Sequence, residues 1–262
     1  MNQGTGKVSK FFTILVFIFI VIPLIIIIGT SFAGESYLAF PPKSFSLKWF
    51  HNVFKYEMFR NSFKVSLEIS ILSTLIAMLI GIPSAYILSR YEFRFKNVLN
   101  SFFLSPILIP GIILGFALLR YLILVLKLPI YMSLLIGHVI IVIPYIIRVI
   151  SSSLTSFDYS IEEASISLGA SKVRTFFTIV LPNIKSGVIA AFILAFINSF
   201  NDVPVSLFLV GPGISTLPIQ MLSYVEFYFD PTVSALSTLM MIVTAILMYI
   251  IERTLGLSHF TK

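Results

Sequence analysis

Apolar residues in this chain fall in long unbroken runs, not in the stripes of a soluble helix or the alternation of a half-buried strand. Uncharged stretches lie between Lys10 and Glu35, Glu68 and Arg90, Lys96 and Arg120, Lys127 and Arg148, and Asp230 and Glu252. A further run, 176–200, is interrupted only by Lys185, whose long stem can reach back to an interface. Crossing about 30 Å of hydrocarbon takes about 20 such residues in a helix. The pattern predicts an all-α integral membrane protein, a single domain over 1–262. Its six transmembrane helices are expected at 11–31, 65–89, 97–119, 129–148, 177–200 and 231–251. The stretch between Asp202 and Glu226 is also uncharged, but Pro204, Gly211, Pro212, Gly213 and Pro218 break it. An extracytoplasmic loop or a short re-entrant element is expected there.

The first run also fits a secretory signal, with Lys7 and Lys10 as its basic start and Ser31-Phe32-Ala33 as a weak cleavage site. Signal cores run about 7–15 residues. This core extends from Phe11 to Ile28, which favours a retained span. Beyond Pro41-Pro42, Leu47, Phe50, Val53 and Phe54 recur at helical spacing with Trp49 beside them. An amphipathic helix lying at the outer interface is expected.

Composition agrees with this pattern. The 262 residues are 58% hydrophobic and 11% charged, with a mean hydropathy of +1.02. Soluble domains carry about 45–50% apolar and about 25% charged residues. The absence of cysteine excludes disulfide frameworks, thiolate nucleophiles and cysteine-ligated metals. His51, His138 and His259 are too scattered for a metal cluster. The net charge of +7 reads through membrane topology and not as a nucleic-acid surface. With both termini inside, eleven Lys and Arg face inward and seven outward, which follows the positive-inside tendency.

The 157–176 loop, between the fourth and fifth runs, carries the most specific signal. Ser160 followed by Glu163 predicts a capping box. Ile161, Ala164 and Leu168 then share one face, with Glu162 off it. Gly169 suits a left-handed helix stop, and Ser171 can cap a second short helix running to Phe176.

These residues resemble the cytoplasmic signature loop of permease subunits in binding-protein-dependent ABC importers. Glu163, Ala164, Gly169, Ile179, Leu181 and Pro182 match that pattern at its spacing, and Ser165 replaces its second Ala. The stretch from Asn61 to Arg90 is similar to the start of the permease core. The stretch from Ser199 resembles the second permease subunit of spermidine/putrescine importers, with Asn201-Asp202 where that branch has two acids.

The resemblance implies the type I importer permease fold and a bacterial inner-membrane location. The implied partners are two ATPase subunits, a second and homologous permease chain, an extracytoplasmic solute-binding protein and membrane lipids. ATP and Mg would be bound by the ATPase subunits, and this chain would bind no cofactor. Ile161, Glu163, Ala164, Leu168, Gly169 and Pro182 become the coupling residues, although Glu163 also has a plain capping role and Pro182 sets how the fifth span enters the membrane. The implied solute is a polyamine, with an aminophosphonate, iron(III) or thiamine as alternatives in the same role.

Polar residues within spans are costly and become candidates for a solute pathway. Asn198, Asn201 and Asp202 lie at i, i+3 and i+4 on one face of the fifth run. They line a pathway or merely cap a helix end. Gln220, beyond the breakers, lies in a segment resembling the outer loop that dips into the path, or in an ordinary surface loop. Glu68 follows Lys64 by four and reads as a surface pair. His138 reads as a packed interhelical residue, and Arg120 and Arg148 as interface anchors. No phosphate-binding glycine loop with a following Lys-Ser/Thr occurs, and no nucleophile has a paired base. An ion-coupled transporter or channel is the rival class, but neither intramembrane acids nor matched broken repeats are visible.

Overall fold

The computed structural model describes residues 6–255, so His259 and Lys262 lie outside the described residues. In chain order the helices are α1 (Lys7–Ser31), α2 (Lys48–Lys55), α3 (Glu57–Arg90), α4 (Lys96–Leu108) and α5 (Gly111–Leu118). A π-helical stretch, Leu119–Val125, prolongs α5. Then come α6 (Ile130–Thr155), α7 (Tyr159–Ser167), α8 (Lys172–Thr175), a second π-helical stretch Phe176–Val180, α9 (Leu181–Asn183) and α10 (Lys185–Phe200). The last three are α11 (Ser206–Leu209), α12 (Leu217–Phe227) and α13 (Thr232–Leu255). Among the described residues the only extended pairing consists of two isolated bridges, Ala33 with Phe45 and Gly211 with Ile214.

Four helices are long and apolar enough to cross a membrane: Ser9–Ser31, Glu57–Arg90, Ile130–Thr155 and Thr232–Ile250. Two further pairs qualify together, Lys96–Leu108 with Gly111–Val125 and Lys172–Asn183 with Lys185–Phe200, but they bend by 102° and 75°. Among the described residues there are therefore four such helices, or up to six if each bent pair is one span. The run 97–119 is not the straight helix its composition predicts. Pro110 has no N–H and forces the residue before it out of the helical region. Ile109 is accordingly extended, at φ −85° and ψ 130°. The second bend falls at Ile184, two residues after Pro182, where φ is −96° and ψ 16°.

Two compact units result. The larger contains Ser62–Ile219 and the chain from Thr244 onward. Its core is built on α6, whose Val142, Ile146, Ile150 and Leu154 recur every fourth residue and are fully buried. Ala77 and Ala85 of α3 and Ala191 and Ala195 of α10 complete that core. Small residues set these crossings, as they do between membrane helices, by letting backbones approach. A Cβ added at Gly81 would stand 2.8 Å from Ile146 Cγ2. One added at Gly187 would collide with the Ser153 hydroxyl. A second cluster gathers Ile69, Leu118, Leu122, Leu134, Val205 and Leu209.

The smaller unit contains residues up to Asn61 and Gln220–Val243. In it α1 is exposed on every side from Phe11 to Ile20, with Phe17 at 67% and Phe19 at 76%, the surface expected of a helix facing lipid. The α2 helix forms as predicted, with a different buried face. Trp49 and Val53 are buried, and Leu47 and Phe54 are exposed. The Trp49 indole explains the rotation: its Nε1 donates to the Ala33 carbonyl at 2.7 Å. Asp230 closes this unit by accepting from the Tyr224 hydroxyl and the Thr232 N–H, both at 2.8 Å.

The segment expected to be a loop or a short re-entrant element is partly helical. Leu217–Phe227 is an eleven-residue helix. Pro218 sits in its first turn, where a missing N–H costs nothing. Gly211–Ser215, with Gly213 at φ +77°, and Pro204–Val205 form the turns the breakers predict.

Candidate functional site

The loop 157–176 folds into the predicted helix, turn and helix, with one local correction. The N-cap of α7 is Asp158, whose Oδ1 accepts from the Ser160 N–H at 2.9 Å. Ser160 lies inside the helix, so the Ser160–Glu163 capping box is not formed. The same N–H holds the Asp158 carboxyl below the usual carboxylate range, so this cap is intact at neutral pH and is lost only in acid.

At the other end Gly169 has φ +92°. The Ala170 N–H donates to Ser165 O at 3.2 Å and the Gly169 N–H to Ile166 O at 2.9 Å, a Schellman closure. Ser171 then caps α8 by accepting from the Arg174 N–H. Ser165, the departure from the family pattern, pairs its hydroxyl with that of buried Thr175 at 3.0 Å and so ties α7 to α8.

Ile161, Ala164, Leu168 and Gly169 line one open concavity of about 510 Å³, together with Arg174 and Ile179 among others. Ile161 is 45% exposed and Leu168 90%, so the apolar face predicted from the sequence stays open among the described residues. Glu163 is exposed and Pro182 lies in α9. Neither lines the concavity.

Sequence reasoning misses Glu162. Periodicity places it off the apolar face, yet it is 2% exposed. Tyr86 donates its hydroxyl to Glu162 Oε1. Arg90 Nε stands 3.3 Å from Oε2, an ion pair whose N–H is not aligned for a hydrogen bond. The available signal is Arg90, a lone base ending the longest helix, with Glu162 as the acid opposite an apolar face.

The candidate pathway residues separate. Asn198 and Asp202 line a cavity of about 190 Å³ with Tyr145, Ile141, Pro106 and Pro204 among others. Asn201 is exposed and bonds its own helix at Ile197 O. Gln220 belongs to the smaller unit, where its amide lies 3.6 Å from Met58 Sδ. Asp202 Oδ2 accepts from both the N–H and the hydroxyl of Ser206, at 2.8 and 2.9 Å.

Ser206 leads into a buried polar seam. His138, 1% exposed, pairs Nδ1 with Ser199 Oγ at 2.7 Å and Nε2 with Ser206 Oγ at 3.0 Å. Ser199 also meets Ser73 Oγ at 3.2 Å. His138 is thus a packed interhelical residue that joins α3, α6, α10 and α11, and Lys64 pairs with Glu68 at 3.9 Å on the surface. Among the described residues no group of three or more His, Cys, Asp or Glu is placed to hold a metal.

Apolar helices around a buried polar seam, with a cavity opening beside a carboxylate, define a membrane transport subunit. The chain belongs to the family of binding-protein-dependent transport system inner membrane components, whose model matches residues 77–256. It is a permease subunit of an ABC importer. The spermidine/putrescine transport system permease protein PotC of Haemophilus influenzae is 32% identical over 241 residues, covering 90% of this chain and 93% of that one. The putrescine transport system permease protein PotI of Escherichia coli K12 is 31% identical over 232 residues, covering 86% and 82%. A chain from the crystal structure of a bacterial ABC transporter importing the acidic polysaccharide alginate superposes with a TM-score of 0.71 at 17% identity. That alignment covers 97% of this chain and 98% of the other, and it supports the shared fold.

Proposed function

We propose that this permease imports a small polycation, spermidine or putrescine, across a bacterial inner membrane. It crosses that membrane six times, with both bent pairs counted as spans and both termini cytoplasmic, and residues 1–262 act as one permease domain. A second, homologous permease supplies the other half of the pathway. Two ATPase subunits dock on the 157–176 loops and hydrolyse ATP, and an extracytoplasmic binding protein delivers the solute.

The observation that carries the solute reading is Asp202 at the wall of the 190 Å³ cavity. The polyamine permeases among the relatives point the same way. No Lys or Arg occurs between Lys185 and Arg253, so no basic residue in its own stretch of chain offsets the field by which the Asp202 carboxylate concentrates cations. The exposed concavity carrying Ile161, Ala164, Leu168 and Gly169 supports the docking reading. Retention of the first span is supported by the packing of its rival cleavage site: Ser31 and Ala33 are fully buried and Ala33 O is held by Trp49.

Asp202→Asn tests the solute reading cleanly, because an amide oxygen can still accept from Ser206 while the charge is gone. In proteoliposomes holding the complete importer, uptake of labelled spermidine is expected to fall about threefold to tenfold, equivalent to about 0.7–1.4 kcal/mol. Uptake of spermidine at the unaltered rate would refute the role of Asp202. A binding protein that captures an anion and ignores polyamines would refute the solute.

A further inference from the structure

We infer that Glu162, with Arg90 and Tyr86, is the positioning residue that carries movement of the docked loop into α3 and α6. The inference rests on the reading of 157–176 as the ATPase-docking segment and adds the connection that reading lacks. A lever transmits force only where it is fastened, and Ile161 and Leu168 on the docking face of α7 are exposed at 45% and 90% among the described residues. Its Ser165–Thr175 bond leads only to the next helix of the same loop. The side-chain fastening to the membrane helices is Glu162.

The fastening is a hub. Arg90 ends α3 and pairs with Glu162. The same guanidinium donates through Nη2 to Leu154 O at 3.3 Å. Leu154 lies in the last turn of α6, where carbonyls have no partner within the helix. Arg90 also sits over the Phe157 and Tyr159 rings, at 5.7 and 4.8 Å from their centroids. These rings flank the start of α7. Tyr86, one turn before Arg90, holds the second Glu162 oxygen and packs edge-on against Phe176 at 4.9 Å. One guanidinium and one carboxylate thus join the ends of α3 and α6 to the docking helix.

Stability alone does not explain such a pair. Burying two charges costs several kcal/mol per ion in lost hydration, and replacing a buried pair by apolar residues is often neutral or stabilising. What apolar packing does not reproduce is a directional connection that keeps its register while the loop is pulled.

The Arg90→Met/Glu162→Met double variant separates the two roles, since it removes both charges together. In the complete importer in proteoliposomes it is expected to assemble with the usual amount of ATPase subunits and to hydrolyse ATP. Solute moved per ATP hydrolysed is expected to fall at least fivefold. Either single substitution leaves a buried charge unpaired and is expected to lower the amount of assembled importer instead. Unaltered solute per ATP in the double variant would overturn the inference. Failure of the double variant to assemble would also overturn it, because the pair would then serve the fold. If the unaltered chain itself retains no ATPase subunit through its 157–176 loop, the docking reading fails, and the inference with it.

Discussion

Replacing Leu168 by aspartate is expected to lower solute uptake by the assembled importer at least tenfold, with the chain still inserted in the membrane. Leu168 is 90% exposed at the rim of the concavity on α7. Among the described residues almost nothing packs on it, so the fold depends little on it. Docked against another protein, the same side chain would be desolvated, and a carboxylate there would be buried without a partner. Each tenfold loss of affinity corresponds to about 1.4 kcal/mol, well within the cost of an unpaired buried charge. Uptake normalised to the amount of chain in isolated membranes is the measurement. Uptake at the unaltered level would remove Leu168 from any interface.

Gly187→Val is expected to act on the fold itself. The added Cβ would meet the Ser153 hydroxyl, with Ser153 Cβ 2.7 Å away, so α6 and α10 could not keep their approach. Overpacking of this kind costs about 1–3 kcal/mol. In a chain of this size that lowers the melting temperature of the purified protein by roughly 2–12 °C. Ser153→Gly in the same chain clears the obstructing side chain and should recover most of the loss. A melting curve unchanged by Gly187→Val would mean that α6 and α10 do not cross at these residues.

The fold is legible in the sequence where a single physical rule decides it. Uninterrupted apolar runs give helices, and Gly169 and Ser171 give the turn and the second cap because those positions need a left-handed residue and a hydroxyl. Pro110 is visible too. Its effect on 97–119 is not, because hydropathy averages over a break and does not register one missing N–H. Pro218 misleads in the other direction: a proline in a first turn starts a helix as readily as one in the middle ends it.

The site is legible on its exposed side only. Ile161, Ala164 and Leu168 share a face by periodicity, and all three are exposed. Glu162 escapes because periodicity assigns charges to solvent, and its burial depends on Arg90, 72 positions earlier in the chain. Asp158 is passed over for Ser160 because a capping box is recognised by spacing, whereas the cap that forms is the one whose oxygen reaches an N–H. Asn198, Asn201 and Asp202 share a helical face in sequence. They diverge in structure because α10 ends at Phe200, so Asn201, its C-cap, and Asp202 no longer keep the helical register that Asn198 keeps.

The central claim is that the 157–176 loop is the surface on which an ATPase subunit docks. The chain has no cysteine, so Leu168→Cys carries a single thiol at the middle of that surface. Photo-crosslinking from a benzophenone attached to that thiol, in membranes holding the complete importer, is the most direct test. The account predicts a covalent product between this chain and the ATPase subunit, lost when that subunit is omitted. Labelling of the introduced thiol by an impermeant reagent from the extracytoplasmic side, with no ATPase product, would contradict it.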